Sequence, residues 1–351
     1  MGYVGTVLLP DAGRLVVAAK APIASLPELL VLAYRTLALP ASDGVASVDD
    51  TSPTDWLLLQ LADEVKELTI RGLRRGYVDQ RQLLPFLRGR VRPPVNPARL
   101  PLLDCEYVEF TMDTMENRLL RSTLELFAPA VRNRAIRKRV YSAMEGFGGV
   151  SSILPTIPAF DRLNFTRLNL HYEPALRLAR LAVEGAGVTD SVGTRTAPSY
   201  FVPMWRVWEA AVAGALRDAG VRGIREQPEY ADRIVQTGGL PRLNVTVKPD
   251  LIVGPRLAPR IVIDLKWAPA LQLRHGVKRL RNEHLYQLAT YCTALNCDGI
   301  LVYPQIDTPV DSKYSVNGRE IRLRTIDLTR PALQDLTSFA KALARELGVG
   351  M

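Results

Sequence analysis

The chain has 351 residues, 47% of them apolar and 23% charged, which suits a soluble globular protein of two or three domains. A net charge of +9 and a pI near 9.6 favour an anionic partner, with nucleic acid first, although a solvated basic surface would give the same excess. Three cysteines without CxxC spacing indicate neither a disulfide framework nor a zinc site.

The sequence predicts a cytoplasmic protein that does not interact with a membrane. Its N-terminal stretch MGYVGTVLLPDAGRLVVAAK lacks the basic start and long apolar core of a signal peptide. No apolar run approaches the roughly 18 to 20 residues that are needed to span a bilayer.

Short strands and helices are predicted in the first part of the chain. Residues 3–19 form two apolar runs around a DAG turn and predict a hairpin. Helical spacing is present in PELLVLAYRTLA, SVDDTSPTDWLLLQLADEVKELTIRGL, DTMENRLLRSTLELF and YEPALRLARLAVEG, and CEYVEF is strand-like. Ser52 is a candidate cap before Pro53, as is Asp113 or Thr114 before the third helix. The arginine-rich residues 71–97 predict short extended pieces and turns.

The pattern changes after residues 188–199, which predict a linker. Helices are predicted in YFVPMWRVWEAAVAGALRDAG, RNEHLYQLATYCTAL and TRPALQDLTSFAKALAREL, and strands in RLNVTVKPDLIVG, RIVIDLKWA, GILVYP and IRLRTIDL. This order predicts an α/β fold in which helices flank a small mixed sheet. We therefore divide the chain into a β-rich and helical region at 1–110, a helical region with the linker at 111–198, and an α/β domain at 199–351.

Two carboxylates and a lysine fall on consecutive predicted strands. Alternation along IVIDLKWA places Asp264 and Lys266 on one face, and Asp250 follows Pro249 beside the neighbouring apolar segment. Converging carboxylates suit Mg²⁺ or Mn²⁺, and an ammonium beside a scissile phosphate can orient water and offset charge. A simple alternative is a structural ion pair of Asp264 with Lys266, while Asp250 caps a turn.

The wider sequence resembles a known nuclease family. A PD followed by DxK on consecutive strands is similar to the PD-(D/E)xK nuclease superfamily. The blocks RGLRRGYVDQRQLLPFLRGRV, CEYVEFTMDTMENRLL, HYEPALRLARL and YQLATYCTAL, in this order, resemble McrC, the nuclease subunit of McrBC-type restriction systems that act on 5-methylcytosine DNA. The resemblance runs from about Tyr3 to the C-terminal helix.

The resemblance implies roles for individual residues. Asp250 and Asp264 match the metal-binding acids, and Lys266 matches the lysine. Glu209 matches a helix acid that some members use as a further metal ligand, or it is a partly exposed helix carboxylate. Gln287 matches a glutamine that follows the lysine, with Tyr291 one turn away as a candidate DNA contact, although Gln287 could also satisfy a buried backbone group.

The resemblance also implies an AAA+ GTPase partner of the McrB type, which recognises the modified base while this chain cuts double-stranded DNA. The chain itself has no GxxxxGK[ST] motif, so we expect it to bind no nucleotide. Arg71, Arg74 and Arg75 are candidate contacts to the partner. A second basic segment carries the candidate DNA contacts Arg134, Arg137 and Lys138, but either segment could instead be a solvated face.

The sequence disfavours two other classes of enzyme and leaves two alternative functions open. A serine hydrolase is disfavoured by the absence of GxSxG, and a histidine-metal nuclease by three scattered histidines that read as surface residues. Two alternatives stay open: a non-catalytic activator of an AAA+ protein that keeps a nuclease-like scaffold, and a stand-alone Mg²⁺-dependent repair nuclease.

Overall fold

A computed structural model of the chain describes most of its residues, namely 2–9, 13–17, 21–22, 26–34, 53–93, 101–186, 200–234, 236–238, 245–274 and 276–348. The predicted linker at 188–199 and the candidate cap Ser52 lie outside these residues. No helix in the described part of the chain is long and apolar enough to cross a membrane.

The helices and strands are numbered in chain order. The helices are α1 (Leu26–Tyr34), α2 (Pro53–Arg71), α3 (Met115–Phe127), α4 (Arg134–Met144), α5 (Ile157–Asp161), α6 (Glu173–Ala186), α7 (Met204–Asp218), α8 (Asn282–Leu295) and α9 (Gln334–Glu346). The strands are β1 (Tyr3–Leu9), β2 (Gly13–Val17), β3 (Gly76–Leu84), β4 (Arg90–Val91), β5 (Leu103–Thr111), β6 (Tyr200–Pro203), β7 (Ile224–Glu226), β8 (Tyr230–Ile234), β9 (Val245–Val247), β10 (Leu251–Val253), β11 (Ile261–Leu265), β12 (Leu271–Arg274), β13 (Val277–Leu280), β14 (Asp298–Pro304), β15 (Asp311–Val316) and β16 (Arg319–Ile326).

The chain divides into two compact units. The sheet unit combines Met1–Leu39 with Val192–Met351, and the helical unit is Pro40–Ser191. Strand β1 joins the N-terminal hairpin to the sheet unit, because it pairs with β2 on one side and with β6 on the other. The three regions predicted from the sequence divide the chain differently, because no local sequence pattern indicates that β1 pairs with the distant strand β6.

A six-stranded mixed sheet organises the sheet unit. Its order is β15-β16-β14-β11-β10-β7, in which β11, β14 and β16 are parallel and the other pairs are antiparallel. The predicted α/β fold with a mixed sheet and flanking helices is therefore confirmed. The centre of the sheet, β11, is the strand that carries Asp264.

Both faces of the central strands are buried. Helix α8 covers one face, where Leu288 and Cys292 pack with Val262 and Leu301. Gly299 lets this helix approach, since a Cβ at that position would clash with Leu288 and Cys292. Helices α7 and α9 pack on each other and also contact the sheet. Because Asp264 alternates with apolar residues on a fully buried strand, it is held in the core.

Two segments near the site fold differently from the prediction. The stretch RLNVTVKPDLIVG was predicted as one strand but forms β9 and β10, which belong to separate sheets with a break at residues 248–250. Pro249 lies in that break and cannot donate a ladder hydrogen bond. The predicted helix at YFVPMW begins only at Met204, because the four preceding residues pair with β1.

The helical unit contains one regular strand that the sequence reading missed. Strand β3 was predicted as short pieces, but it pairs with β5 along its whole nine-residue length. Among the arginines predicted to lie in turns, Arg81 on β3 forms an ion pair with Asp104 on β5. Arg88 and Arg92, just before and just after β4, pair with Glu109 and Glu106 of β5. Opposite charges on paired strands favour the ladder, so the arginine-rich composition does not break it.

Residues Asp113 and Thr114 precede α3, as predicted, but neither side chain caps it. Thr114 occupies the cap position without a side-chain hydrogen bond. The Asp113 carboxylate instead accepts two hydrogen bonds from Arg118, at 2.7 and 2.6 Å, and two from the backbone N–H and hydroxyl of Ser151, at 2.7 and 2.8 Å. These bonds, chiefly those from Arg118, hold the pKa of Asp113 well below its usual range.

We expect Asp113→Asn to lower the free energy of unfolding by about 2 kcal/mol at pH 7, because charge-assisted hydrogen bonds are lost. The folded-state pKa is depressed, so this stabilisation is present above the unfolded pKa of about 3.9 and is lost as the pH falls towards the folded value. Urea unfolding at a series of pH values measures the difference, with Asp79→Asn on the exposed face of β3 as control. An Asp113→Asn deficit that stays constant down to strongly acidic pH would contradict this assignment.

Candidate active site

Asp264 and Lys266 lie on the same face, as the alternation of β11 predicted. Only 1% of the Asp264 residue is exposed, and the Lys266 Nζ atom lies 2.8 Å from its Oδ2 atom. At this distance the Lys266 ammonium forms an ion pair with the buried carboxylate and donates a hydrogen bond to it. Lys266 continues beyond the strand, where its backbone N–H donates to the Val302 carbonyl.

Asp250 lies across from Asp264. Strand β10 pairs antiparallel with β11, with Leu251 opposite Ile263, so the residue before Leu251 falls opposite the residue after Ile263. The half-buried Asp250 uses its Oδ2 atom to accept the Leu265 backbone N–H at 2.7 Å. This bond fixes the carboxylate at the end of both strands, beside the ion pair.

The two carboxylates share one electrostatic environment. Burial and the neighbouring charge of Asp250 raise the pKa of Asp264 to about 6, although Lys266 opposes the shift. Burial also raises the pKa of Asp250, against the Leu265 N–H and the charge of Lys266. For Lys266, burial lowers the pKa, but the charge of Asp264 and their contact outweigh it, so the net shift is upward and the ammonium is favoured.

Glu209, on α7, lies close enough to Asp250 for their charges to interact. Burial, and then the charge of Asp250, raise the pKa of this carboxyl to about 7. It accepts a hydrogen bond from Gln227 at 2.9 Å and lies 3.7 Å from an Arg206 nitrogen. Gln227 has a positive φ of 46° and its backbone N–H donates to the Asp250 carbonyl, so one residue links Glu209 to Asp250.

The donor set suits a hard cation held by two carboxylates. Asp264 is buried with one ammonium beside two carboxylates, and both acids have raised pKa values, so they gain from a further positive charge. Within the described residues, no group of three or more His, Cys, Asp or Glu side chains is placed to hold a metal ion by itself. The arrangement therefore fits Mg²⁺ or Mn²⁺ bound by Asp250 and Asp264, with water and phosphate as further ligands; Glu209 as a third ligand stays a prediction.

Helix α8 brings Gln287 and Tyr291 together. The Gln287 Nε2 atom donates to the Tyr291 hydroxyl at 2.9 Å, as expected for residues one turn apart. The Tyr291 side chain also lies near Lys266. Gln287 is exposed and bonds to a side chain, so the alternative that it satisfies a buried backbone group is wrong.

Two neighbours of the site were missed by the sequence reading. His284 was predicted to be a surface residue, but it is half-buried and its Nδ1 atom lies 2.9 Å from the hydroxyl of Tyr303, which is fully buried on β14. Burial and the charge of Lys266 lower the pKa of His284, so the neutral imidazole is favoured. The available signal was its position three residues before Gln287, which places both on one face of α8.

Arg74, a predicted partner contact, is part of an internal network of the helical unit. Its Nη1 atom lies 2.5 Å from Glu116, and its backbone N–H donates to the buried Tyr172 hydroxyl at 2.7 Å. Its carbonyl accepts from Asn117 at 3.0 Å. Its guanidinium is therefore paired within the unit, and its contact to a partner stays a prediction.

The remaining predicted basic residues are exposed. Arg71 and Arg75 lie at the two sides of the turn between α2 and β3. Arg134, Arg137 and Lys138 lie on α4, where Arg137 donates to the Val131 carbonyl at 2.8 Å. All five belong to the helical unit, whereas the candidate active site belongs to the sheet unit.

We expect Arg74→Ala and Arg75→Ala to differ sharply in stability. The first leaves Glu116 without its cation and should cost about 2 kcal/mol or more, whereas the second should stay within about 0.5 kcal/mol. Thermal unfolding of both proteins measures the difference. Equal melting temperatures would show that the Arg74 network contributes nothing to the fold.

The fold and the site define a class: an α/β protein whose mixed sheet holds a carboxylate pair and a lysine at the ends of two neighbouring interior strands. Comparison with known proteins supplies the family. The profile of the McrBC 5-methylcytosine restriction system component family matches residues 1–304, and the chain belongs to that family.

Three relatives share about a fifth of their aligned residues with this chain. The type IV methyl-directed restriction enzyme EcoKMcrBC of Escherichia coli K12 is 22% identical over 337 residues, which cover 88% of this chain and 92% of the relative. A Thermococcus gammatolerans assembly of McrB AAA+ hexamers with bound McrC is similar at 18% identity and a TM-score of 0.48, over 97% of this chain and 83% of that one. A second structure of the McrBC complex from the same organism gives 22% identity and a TM-score of 0.39, over 64% and 68%.

Proposed function

We propose that this chain is the nuclease subunit of a McrBC-type restriction complex. It hydrolyses phosphodiester bonds of methylated double-stranded DNA in the cytoplasm when assembled with an AAA+ GTPase, whose turnover it stimulates. The observation that carries the proposal is the position of Asp250, Asp264 and Lys266 together where β10 begins and β11 ends.

The residues divide the chemistry in the following way. Asp250 and Asp264 would hold Mg²⁺ or Mn²⁺, which, when bound, acts as a Lewis acid towards a phosphoryl oxygen and an attacking water. Lys266, whose ammonium lies 2.8 Å from the Asp264 carboxylate, would orient the attacking water and offset negative charge on the phosphate.

The residues around this centre orient the substrate and the lysine. The Gln287–Tyr291 pair lies near Lys266 and offers an amide and a hydroxyl to a phosphate oxygen. Glu209 carries a pKa near neutrality beside Asp250, so it can share a proton or a water with the carboxylate pair.

Family membership and the missing nucleotide motif support an AAA+ partner. The McrB component of the archaeal complex is described as an AAA+ hexamer with bound McrC. Since this chain has no GxxxxGK[ST] motif, nucleotide hydrolysis would come from such a partner. Arg71 and Arg75 remain candidate partner contacts, and the basic face of α4 is a candidate for either the partner or DNA.

The two alternative functions make different demands on the site. A non-catalytic activator gains nothing from two neighbouring acids that share one ammonium, because the burial of these carboxylates costs folding free energy. A stand-alone repair nuclease would need the same acids but would cut without a partner. Cleavage assays with and without the AAA+ partner therefore separate it from the proposal.

We expect Asp250→Asn and Asp264→Asn each to abolish cleavage of methylated DNA in Mg²⁺ with the partner present. Asparagine has nearly the same shape but lacks the charge that holds the cation, so the fold should survive. Asp307→Asn, an exposed acid after β14, is the matched control and should cut normally. Wild-type rates for either site variant would refute the metal assignment.

Lys266→Gln should separate cutting from partner activation. Removing one preorganised charge at the reacting phosphate is expected to lower the cleavage rate by about 100-fold or more. Stimulation of partner nucleotide turnover should persist, provided that the helical unit carries the docking contacts. Cleavage and nucleotide turnover are measured on the same preparation, and a folded variant that loses both equally would contradict this division.

A further inference from the structure

A two-stranded hairpin stands between the lysine and the helix of the candidate active site. Strands β12 and β13 pair antiparallel, with Leu271 opposite Leu280 and Gln272 opposite Arg279, and we call them the basic hairpin. The chain enters it a few residues after Lys266 and leaves it directly into α8, which carries His284 and Gln287. Both ends of the hairpin are therefore set by the site.

The base of the hairpin is fixed to the core of the sheet unit. Ala270 is buried in the same apolar cluster as Val262 and Leu288, and Leu280 packs against it. The Arg281 Nε atom donates to the Pro269 carbonyl at 3.2 Å, which ties the two ends of the hairpin together. At mid-height, the Lys278 ammonium donates to the Thr308 hydroxyl at 3.2 Å. These contacts make the base a rigid extension of the candidate site.

The outer part of the hairpin is basic with an apolar tip. Between Asp264 and Glu283 the sequence contains no acid. It contains five lysines and arginines: Lys266, Arg274, Lys278, Arg279 and Arg281. Lys266 and Arg281 are paired with Asp264 and Glu283, which leaves Arg279 as an exposed cation of the hairpin without an ion pair among the described residues. Leu273 and Val277, close to the Gly276 turn, are 71% and 54% exposed. A surface that exposes such a guanidinium beside apolar side chains is suited to a polyanionic partner with grooves.

We propose that the basic hairpin binds the backbone of the DNA duplex beside the scissile phosphate, with its apolar tip directed into a groove. The inference rests on the proposed nuclease function and adds the surface that holds the substrate. Arg279 contributes a phosphate contact, since a guanidinium matches phosphate geometry. Leu273 and Val277 supply the apolar contacts that groove-binding proteins make with bases. Because the hairpin base is continuous with Lys266, a duplex held there has a phosphate near the carboxylate pair.

The salt dependence of binding tests the contact without any cleavage. The full chain is titrated against a fluorescent duplex in chelator, over a series of salt concentrations. Each phosphate contact contributes about −0.9 to the slope of log K against log salt. Arg279→Ala should therefore make the slope shallower by about 0.9, and Arg279→Lys should restore most of it. Lys341→Ala, an exposed cation on α9, is the matched control and should leave the slope unchanged.

Partner activation distinguishes DNA from a protein surface as the ligand. Arg279→Ala should leave stimulation of the AAA+ partner unchanged. A slope equal to that of Lys341→Ala, or a wild-type chain that does not bind the duplex, would overturn the proposal, as would lost stimulation with an unchanged slope. Because the titration requires no catalysis, its failure is distinct from failure of the nuclease assignment, which the Asp264→Asn cleavage assay tests.

Discussion

The candidate site depends on the antiparallel pairing of β10 with β11, which places two carboxylates opposite each other where the strands end. Burial raises the pKa of both carboxyls, and the charge of Asp250 raises that of Asp264 further. A protein that only needed a stable sheet would place apolar side chains there. Lys266 and the Leu265 N–H offset part of this cost. The remaining cost is expected of a site whose stabilising cation arrives with the substrate.

Sequence reasoning predicted the site from local patterns and failed where distant contacts decide. Alternation along β11 placed Asp264 and Lys266 correctly, since a strand's period needs no tertiary information. The proximity of Gln227 to Glu209, and of His284 to Tyr303, could not be predicted, because each joins two elements that only the folded sheet brings together. The N-terminal hairpin was predicted, whereas its pairing with β6, nearly 200 residues away, was not.

Arginine composition was the least reliable guide to function. In the helical unit, Arg74, Arg81 and Arg118 all form ion pairs with acids of the same unit, so their charges stabilise local structure. A guanidinium serves both uses equally well, because its fork matches a protein carboxylate as closely as a phosphate. Sequence shows that an arginine is present but not whether an acid across the strand already occupies it.

The acid-free segment after Asp264 is informative about DNA binding because it offers its arginines few local acids to pair with. A net charge of +9 could be spread thinly over the surface, and the paired arginines of the helical unit show that much of the basic content is locally neutralised. The strands of the basic hairpin contain no acid, and Arg279 has no ion-pair partner among the described residues, although Arg281 after the second strand pairs with Glu283. A cation that remains unpaired near a carboxylate site serves a purpose that folding does not require, since the carboxylates themselves would repel a phosphate that no neighbouring cation attracts.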